Sequence, residues 1–274
     1  MGGDGRRPGL DDLLAEIADA GDRMTVLDAC EGAAGNISVV VGWPIELAPR
    51  FPCAEPIRLP HPAPALAGKV VIATGSGRRL RDVRRNPAAA LGAVVVDPGG
   101  ETGTLHTGPQ RRFRQLTSEF NSHLAVHQDQ LARSGGDFNA LIHAQPPHLT
   151  YLSHIAEYRE PGVMSRRLLR WEPETIVQMP EGMGVLPFIL PGSDDLMRAT
   201  VAGLRTHQVV VWSKHGVMAR SDASVDAVAD RIDYLEAAAR FEYLNLIGGG
   251  RAEGLSEDEL RQVASAFGTR TSLL

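Results

Sequence analysis

Two histidines and a glutamine occupy positions where their side chains could hold a metal ion. His143 ends the apolar run ALIH, and His215 comes directly after the apolar run VVVWSK. Gln145 lies two residues beyond His143, where a zinc enzyme would carry a second histidine, because alternate residues of a strand face the same side. Zinc prefers imidazole and carboxylate ligands held on rigid strands. From these residues alone, a metal site with one unusual ligand, a decayed metal site and a polar strand end all stay open.

A carboxylate that could act in catalysis stands at the start of a helical pattern. Glu119 follows Thr117 and Ser118 in the stretch TSEFNSHLAVHQDQLARSGG. These residue types favour a helix cap, and a carboxylate in the first turn complements the helix dipole. The alternative is an anion-binding pair beside a catalytic carboxylate, and the stretch by itself is explained by either.

The helix that follows carries two further histidines, His123 and His127, one turn apart. HxxxH spacing can bind zinc, but the zinc-protease helix also carries a glutamate directly after the first histidine. Leu124 takes that place here. We interpret the two histidines as packing or interface residues.

Two turns rich in small residues stand at the ends of predicted strands. EGAAGN leads into a strand with Gly35 and Asn36, and TGSG follows a strand with Ser76 and Gly77. Backbone amides and hydroxyls in such turns can receive a phosphate. TGSG is not a Walker A loop, because no Gly-Lys-Ser/Thr follows. Each turn is also explained by a tight reversal of the chain.

Alternating strand and helix patterns must position these residues. β-Branched runs closed by glycine predict strands, and apolar residues at helical spacing predict helices. No linker with a shift in composition divides the chain, so we expect one α/β domain over residues 10–274, after a short disordered lead-in of residues 1–9. The predicted strands are 36–42, 69–75 and 92–100, with a strand, turn and strand over 207–220; the predicted helices are 11–24, 117–136, one from about His148, and 224–249.

Composition limits the partners and the compartment. A net charge of −5 with a pI near 6.0 does not favour nucleic acid or an anionic membrane as a partner. Cys30 and Cys53 have no CxxC spacing, so we expect a reducing cytoplasm. No apolar run approaches the roughly 18 residues needed to cross a bilayer, and the N-terminus lacks the apolar core of a signal peptide.

The order of the motifs resembles the class II aldolase/adducin family. The resemblance runs from about Leu10 to the C-terminus and implies a three-layer α/β/α sandwich around a mixed, largely antiparallel sheet. It is carried by six stretches in register: EGAAGNIS, ATGSGRRLRDVRRNPAAALG, TSEFNSHLAVH, LIHAQPPHL, PEGMGVLPFILPGSDD and WSKHGV.

The resemblance also implies roles for individual residues. His143 and His215 match two of the family's three zinc-binding histidines, and Gln145 stands where the third would be. Glu119 matches the catalytic acid–base, and Glu174 matches a further carboxylate near the site. An amide oxygen is a weaker zinc donor than imidazole, so Gln145 leaves Mn²⁺ or Co²⁺ open beside Zn²⁺. His148 is an alternative ligand, but a helix that begins near Pro147 would turn it away.

The implied activity is cleavage or formation of a C–C bond next to a ketone through a metal-stabilised enediolate. Ala33 stands where the sugar-phosphate aldolases carry an asparagine, which leaves open whether the ketose is phosphorylated. The resemblance further implies an aldehyde as the second small molecule and a homotetramer, which exposed apolar residues such as Leu244 and Leu246 would suit. A family epimerase or decarboxylase, an aldolase on an unphosphorylated keto substrate, and a non-catalytic adducin-like module are the alternatives. The positions matched to substrate phosphate binding are Gly35, Asn36, Ser76, Gly77, Thr117 and Ser118.

Overall fold

The strands of the described residues form one nine-stranded sheet, in the order β2-β5-β4-β3-β1-β6-β9-β8-β7. The computed structural model describes residues 7–274. All neighbouring strands are antiparallel except β7 and β8, which are parallel, so the sheet is mixed and largely antiparallel as predicted. The strands are β1 (Asn36–Val41), β2 (Cys53–Arg58), β3 (Val70–Thr74), β4 (Leu91–Val96), β5 (Thr102–Thr107), β6 (Phe138–Ala144), β7 (Gly184–Leu186), β8 (Val209–Trp212) and β9 (Gly216–Ser221).

Helices cover both faces of this sheet and complete the three layers. α1 and α9 pack on one face, and α4 and α8 pack on the other. The helices are α1 (Leu10–Val26), α2 (Leu80–Val83), α3 (Pro87–Ala90), α4 (Phe120–Ser134), α5 (Pro147–Leu152), α6 (Val163–Leu168), α7 (Pro173–Gln178), α8 (Asp194–Leu204), α9 (Val225–Ile247) and α10 (Glu257–Ala266), with 3₁₀ turns at Pro64–Leu66 and Ala156–Arg159.

The strand β1 lies in the middle of the sheet and is buried along its whole length. Its odd-numbered residues Ile37, Val39 and Val41 join the core beneath α1 and α9. Val40 faces the opposite side and packs in the cluster that contains Leu124 of α4. A strand covered on both faces is apolar throughout, which explains the run of β-branched residues in its sequence.

The main predicted elements are present, with bounds that shift by a few residues. One helix begins later than predicted: α4 starts at Phe120, with Glu119 at its N-cap, rather than at Thr117. Sequence patterns missed β2, which lies within the proline-rich connector and contains Pro56. β2 pairs only with β5 at the edge of the sheet, the place where a residue without an N–H is tolerated.

The N-terminal segment is described from Arg7 onward, so the predicted disorder of residues 1–6 lies outside the described residues. Residues 7–9 contact the domain instead of leading freely into it. Arg7 pairs with Asp137 at 2.5 Å, and the indole Nε1 of Trp43 donates to the Pro8 carbonyl at 3.0 Å. Among the described residues, no helix is long and apolar enough to cross a membrane.

The sheet brings the ends of several strands to one place. β1 runs antiparallel to both β3 and β6, so its first residue, Asn36, lies beside their last residues, and Asn36 pairs directly with His143. The turn between β8 and β9 lies next to the end of β6, because Ala144 pairs with Val217. Asn36, His143 and the turn that carries His215 therefore converge at these strand ends, although more than a hundred positions separate Asn36 from His143 in the sequence.

Candidate active site

Glu119, His143 and His215 form a compact group of potential metal ligands. One ligand atom from each lies within 4.8 Å of the other two. His143 Nε2 is 3.5 Å from Glu119 Oε2, and His215 Nε2 is 3.8 Å from Glu119 Oε1. His143 and Glu119 are buried, while His215 is partly exposed and so borders the opening. Two imidazoles and one carboxylate are a donor set that suits zinc and similar divalent ions.

The ring of His143 is held by its neighbours in an orientation that suits a metal ligand. Its Nδ1 lies 2.8 Å from the Val217 carbonyl, which can only accept, so Nδ1 carries a proton and Nε2 is the nitrogen that faces Glu119. The ring also stacks on Trp212, with 4.6 Å between centroids. Metal-binding histidines commonly donate their second N–H to such a carbonyl, which fixes both tautomer and orientation.

His215 lies on the tight turn between β8 and β9. Lys214 adopts φ +65°, a left-handed conformation that is rare for a residue with a Cβ, and its backbone N–H donates to Ser153 Oγ at 2.7 Å. Gly216 follows, and a Cβ there would lie 2.3 Å from the Ala144 carbonyl oxygen. Glycine at this position is what allows the turn to approach β6 closely enough for His215 to reach Glu119.

The electrostatic surroundings keep His215 neutral. Burial and, to a smaller extent, the nearby His143 lower its pKa to about 4, against the opposing effect of Glu119. A neutral imidazole is the form that binds a metal. Its Nδ1 is buried and, in the described part of the chain, has no hydrogen-bond partner. The group thus fits a divalent metal by donor type and by convergence.

Gln145 lines the same cavity but has a second interaction. With its amide nitrogen turned toward Glu31, it donates to Glu31 Oε2 at 3.2 Å, and this orientation leaves its oxygen directed away from that carboxylate. His148 is occupied elsewhere, since its Nδ1 lies 2.6 Å from Glu236 Oε1 and its ring packs against Tyr243. Gln145, rather than His148, is therefore the side chain available beside the metal-ligand group.

Glu119 is positioned by its own backbone and by Asn36. The Asn36 amide donates from Nδ2 to Glu119 Oε2 at 2.9 Å. The Glu119 backbone N–H donates to Thr117 Oγ1 at 3.4 Å, so Thr117 satisfies one donor at the start of α4. The carboxylate therefore lies at the positive end of α4, between the histidines and the hydroxyls of Thr117 and Ser118.

A cavity of about 220 Å³ opens over this group and collects nearly all the predicted site residues. Glu174 is the exception, because it lies exposed in the first turn of α7 and is not among the described residues that line the cavity. A larger cavity of about 440 Å³ lies alongside and shares Thr117 and Ser118. The lining of the smaller cavity includes Ala33, Gly35, Asn36, Ser76, Gly77, Arg78, Thr117, Ser118, Glu119, His143, Gln145 and His215.

Arg78 is a site residue that sequence patterns missed. Arg78 lines the cavity, and its Nε is buried without a hydrogen-bond partner among the described residues. It belongs to the arginine-rich stretch GRRLRDVRR, to which the sequence patterns assign no role in the site. Its position directly after the TGSG turn was the available signal, since a cation beside a small-residue turn is typical of anion sites.

Fold and site together define an α/β protein with a histidine–carboxylate group of potential metal ligands at the ends of the central strands of a mixed sheet. The sequence profile described as "Class II Aldolase and Adducin N-terminal domain" matches residues 15–243, so the chain belongs to the class II aldolase/adducin family. The resemblance predicted from the motifs is thereby confirmed.

Individual relatives extend the comparison. The chain is 32% identical to a rhamnulose-1-phosphate aldolase of Klebsiella pneumoniae subsp. pneumoniae over 211 residues, covering 77% of this chain and 75% of that protein. It is 32% identical to a rhamnulose-1-phosphate aldolase of Escherichia coli O7:K1 over 212 residues, covering 77% and 76%. Family and relatives support the prediction that the chain is an enzyme of the lyase class.

Solved structures agree with the fold. A sugar-phosphate aldolase from Thermotoga maritima superposes with a TM-score of 0.74 at 25% identity, covering 89% of this chain and 98% of that one. A structure titled L-fuculose 1-phosphate aldolase superposes with a TM-score of 0.58 at 19% identity, covering 94% and 96%. At that identity the second structure supports the three-layer fold only.

Proposed function

We propose that the protein is a divalent-metal-dependent aldolase that cleaves or forms a C–C bond next to a ketone, with rhamnulose 1-phosphate as the first substrate to test. The observation that carries this proposal is the convergence of Glu119, His143 and His215 within 4.8 Å at the bottom of an open cavity. The curated relatives at 32% identity are rhamnulose-1-phosphate aldolases, which supports the choice of substrate. Cleavage of that ketose phosphate would give dihydroxyacetone phosphate and L-lactaldehyde.

His143 and His215 would hold the metal, with the amide oxygen of Gln145 as a weaker third protein ligand. When bound, a divalent cation would supply Lewis-acid stabilisation of the enediolate charge that C–C cleavage leaves. Zn²⁺ fits the imidazoles best, while the amide oxygen extends the range to Mn²⁺ or Co²⁺. The Val217 carbonyl keeps His143 in the tautomer that ligation requires.

Glu119 would move the proton at the carbon that loses or gains the bond. Its carboxylate lies within 4 Å of both histidine Nε2 atoms, so a substrate chelated there would place its reacting carbon close to Glu119. Asn36 keeps one carboxylate oxygen occupied, which leaves the other for proton transfer. Glu174 remains a predicted catalytic residue, and a Glu174→Gln variant with unchanged kcat and KM would remove it from the mechanism.

The phosphate of the substrate would lie at the other end of the cavity. Ser76, Thr117 and Ser118 present hydroxyls there, and Gly35 and Gly77 line the cavity with positive φ angles that place their backbone close to a ligand. Arg78 supplies a positive charge that offsets the loss of a side-chain donor at Ala33. An anionic substrate group would give the buried Nε of Arg78 its missing partner.

The assembly and compartment belong to the same proposal. Four apolar side chains at the end of α9 are 43–66% exposed, which suits burial against other subunits of a homotetramer. Cys30 and Cys53 are both free, in keeping with a reducing cytoplasm. The apolar residues are Phe241, Leu244, Leu246 and Ile247.

Elemental analysis of the purified protein and of the His143→Ala, His215→Ala double variant tests the metal site. About one divalent ion per chain, lost in the variant, would support the site. Release of dihydroxyacetone phosphate from rhamnulose 1-phosphate then tests the reaction. A loaded enzyme that leaves this substrate intact would point to a family epimerase, decarboxylase or aldolase with another substrate. Failure to bind Zn²⁺, Mn²⁺ or Co²⁺ would point to a binding module.

A further inference from the structure

A row of buried polar side chains lies behind Glu119, between the sheet and α4. We call it the buried polar chain and define it as Asn36, Ser38, His123, His127 and Asn139. Ser38, His123 and His127 are fully buried, and Asn139 is 1% exposed. Polar groups in such a place cost free energy unless each finds a partner, so the pattern of partners carries information.

The buried polar chain is continuous from the Glu119 carboxylate to the backbone of β9. Asn36 donates to Glu119, and its Oδ1 contacts His123 Nε2. Ser38 Oγ lies 2.7 Å from His123 Nδ1 and 2.7 Å from His127 Nε2. His127 Nδ1 then lies 2.9 Å from Asn139 Oδ1.

The side-chain amides at the two ends of the buried polar chain each have a fixed orientation. Asn36 Nδ2 faces the Glu119 carboxylate, and Asn139 Nδ2 donates to the Ser221 carbonyl at 3.2 Å, so each amide must present its oxygen to a histidine. The ring nitrogens that face these oxygens therefore carry protons. His123 is the Nε2–H tautomer, and His127 is the Nδ1–H tautomer.

In the middle of the buried polar chain, two histidine rings share the hydroxyl of Ser38. Burial lowers the pKa of His123 and lowers that of His127 to about 3, so both rings are neutral and both nitrogens that face Ser38 are bare. Ser38 has a single hydroxyl proton for these two acceptors. When it donates to His123 Nδ1, it keeps the ring proton on Nε2, which holds Asn36 Oδ1 and turns Nδ2 toward Glu119.

Loss of the Ser38 hydroxyl would remove the hydrogen bond that keeps the His123 proton on Nε2. The side-chain amide of Asn36 would then be free to exchange the positions of its oxygen and nitrogen. A reversed amide would put Oδ1 against the Glu119 carboxylate, and two oxygens that only accept repel each other. The carboxylate would then lose its donor and turn within the cavity. A displacement of about 1 Å in a reacting group can cost roughly 10²-fold in rate.

We propose that Ser38 and His123 are positioning residues for Glu119, and that His127 and Asn139 anchor them to β6 and β9. The buried polar chain acts through one atom, Asn36 Nδ2. It keeps the acid–base carboxylate of Glu119 directed at His143 and His215. The kinetic part of this inference rests on the proposed function, whereas the tautomer part does not.

The tautomers test the inference without any substrate. In ¹⁵N-histidine-labelled protein, long-range ¹⁵N–¹H spectra distinguish Nε2–H from Nδ1–H rings, and His123→Gln and His127→Gln variants assign the two signals. We expect His123 as the neutral Nε2–H form and His127 as the neutral Nδ1–H form from pH 6 to 8. An Nδ1–H form of His123 would mean that the Asn36 amide is reversed, and it would overturn the inference whether or not the protein is an aldolase.

Ser38→Ala tests the positioning role in the working enzyme, and Ser122→Ala is its matched control. Ser122 is also fully buried, but its Oγ has no hydrogen-bond partner among the described residues. We expect Ser38→Ala to lower kcat roughly tenfold or more, with KM within about twofold and metal content unchanged. Equal kcat values for the two variants would overturn the positioning role. An inactive wild-type enzyme would instead count against the proposed function alone.

Two replacements of His123 separate the effect of its N–H donor on kcat from the effect of its size. His123→Gln keeps an N–H donor near the position of Nε2, and His123→Leu removes it. The glutamine variant should recover part of the kcat that the leucine variant loses, at equal metal content. If both lose kcat equally while the spectra show them folded, the Nε2–H donor has no positioning role. Should the leucine variant fail to fold, Ser38→Ala and the tautomers still decide the question.

Discussion

His143 on β6 contacts the backbone of Val217 on the neighbouring strand β9, with 2.8 Å between His143 Nδ1 and the Val217 carbonyl oxygen. This contact fixes which nitrogen of the ring is free, and Nε2 then points toward Glu119 at 3.5 Å. The metal-ligand group is thus oriented by backbone, not only by other side chains. Because this partner is a backbone carbonyl of β9, the orientation of the ring depends on the pairing of β6 with β9.

Glu119→Gln should abolish most turnover and leave the metal in place. The amide can still accept the hydrogen bond from Asn36 through its oxygen, so the fold around it should persist, but it cannot exchange a proton. Loss of general acid–base catalysis costs roughly 10²–10⁴-fold in rate. Steady-state kinetics together with metal analysis of the same sample make the comparison. Retained turnover at full metal content would remove Glu119 from the acid–base role.

Gln145→His should raise the affinity for zinc. Imidazole is a better zinc donor than an amide oxygen, and the position lies in the cavity beside His143 and His215. We expect the dissociation constant for Zn²⁺ to fall at least about tenfold, equivalent to roughly 1.4 kcal/mol. Competition with a chromophoric chelator measures this. Glu31→Gln is the companion variant, because it weakens only the partner of the Gln145 amide. An unchanged zinc affinity in Gln145→His would place residue 145 outside the ligand set.

Arg78→Met should weaken the binding of phosphorylated substrates specifically. Loss of a hydrogen bond to a charged group costs about 1.5–3 kcal/mol, which corresponds to a rise in KM of roughly ten- to hundredfold. Arg79→Met is the matched control, because Arg79 is exposed at the start of α2 and does not line the cavity. An unphosphorylated ketose should show little difference between the two variants. Equal KM values for rhamnulose 1-phosphate in both variants would contradict the role of Arg78.

Stability should fall in mildly acidic solution because of His123 and His127. Their native pKa values lie below the value near 6.5 expected in the unfolded chain, so between pH 6.5 and about 3 the unfolded state binds more protons and acid favours unfolding. From pH 7.5 to 5.0 each histidine should lower the free energy of unfolding by about 2 kcal/mol.

Urea unfolding of the EDTA-treated protein at the two pH values measures this decrease. Other titrating groups contribute to the total, so His127→Gln is compared with wild type across the same range. The variant should lose about 2 kcal/mol less than wild type. An identical pH dependence in the two proteins would mean that His127 is not held neutral in the folded state.

The strands and helices that carry the site could be predicted from local sequence, because their signals are local. A β-branched run closed by glycine predicted β1 and β3, and the apolar runs before His143 and His215 predicted β6 and β8. β2, β5 and β7 were missed, since partly exposed strands lack a continuous apolar run. The six motifs in register then predicted the family, which the comparisons confirm.

The sequence by itself determined which residues could do chemistry: a carboxylate after a Thr-Ser pair, two histidines at strand ends, and hydroxyl-bearing turns. Only the tertiary structure decided how they act together. Antiparallel pairing of β1 with β6 brings Asn36 beside His143, and the carbonyl of Val217 selects the free nitrogen of that histidine. Local patterns also could not predict the buried polar chain or the position of Arg78 in the cavity. Contacts between residues tens of positions apart depend on sheet register and helix packing.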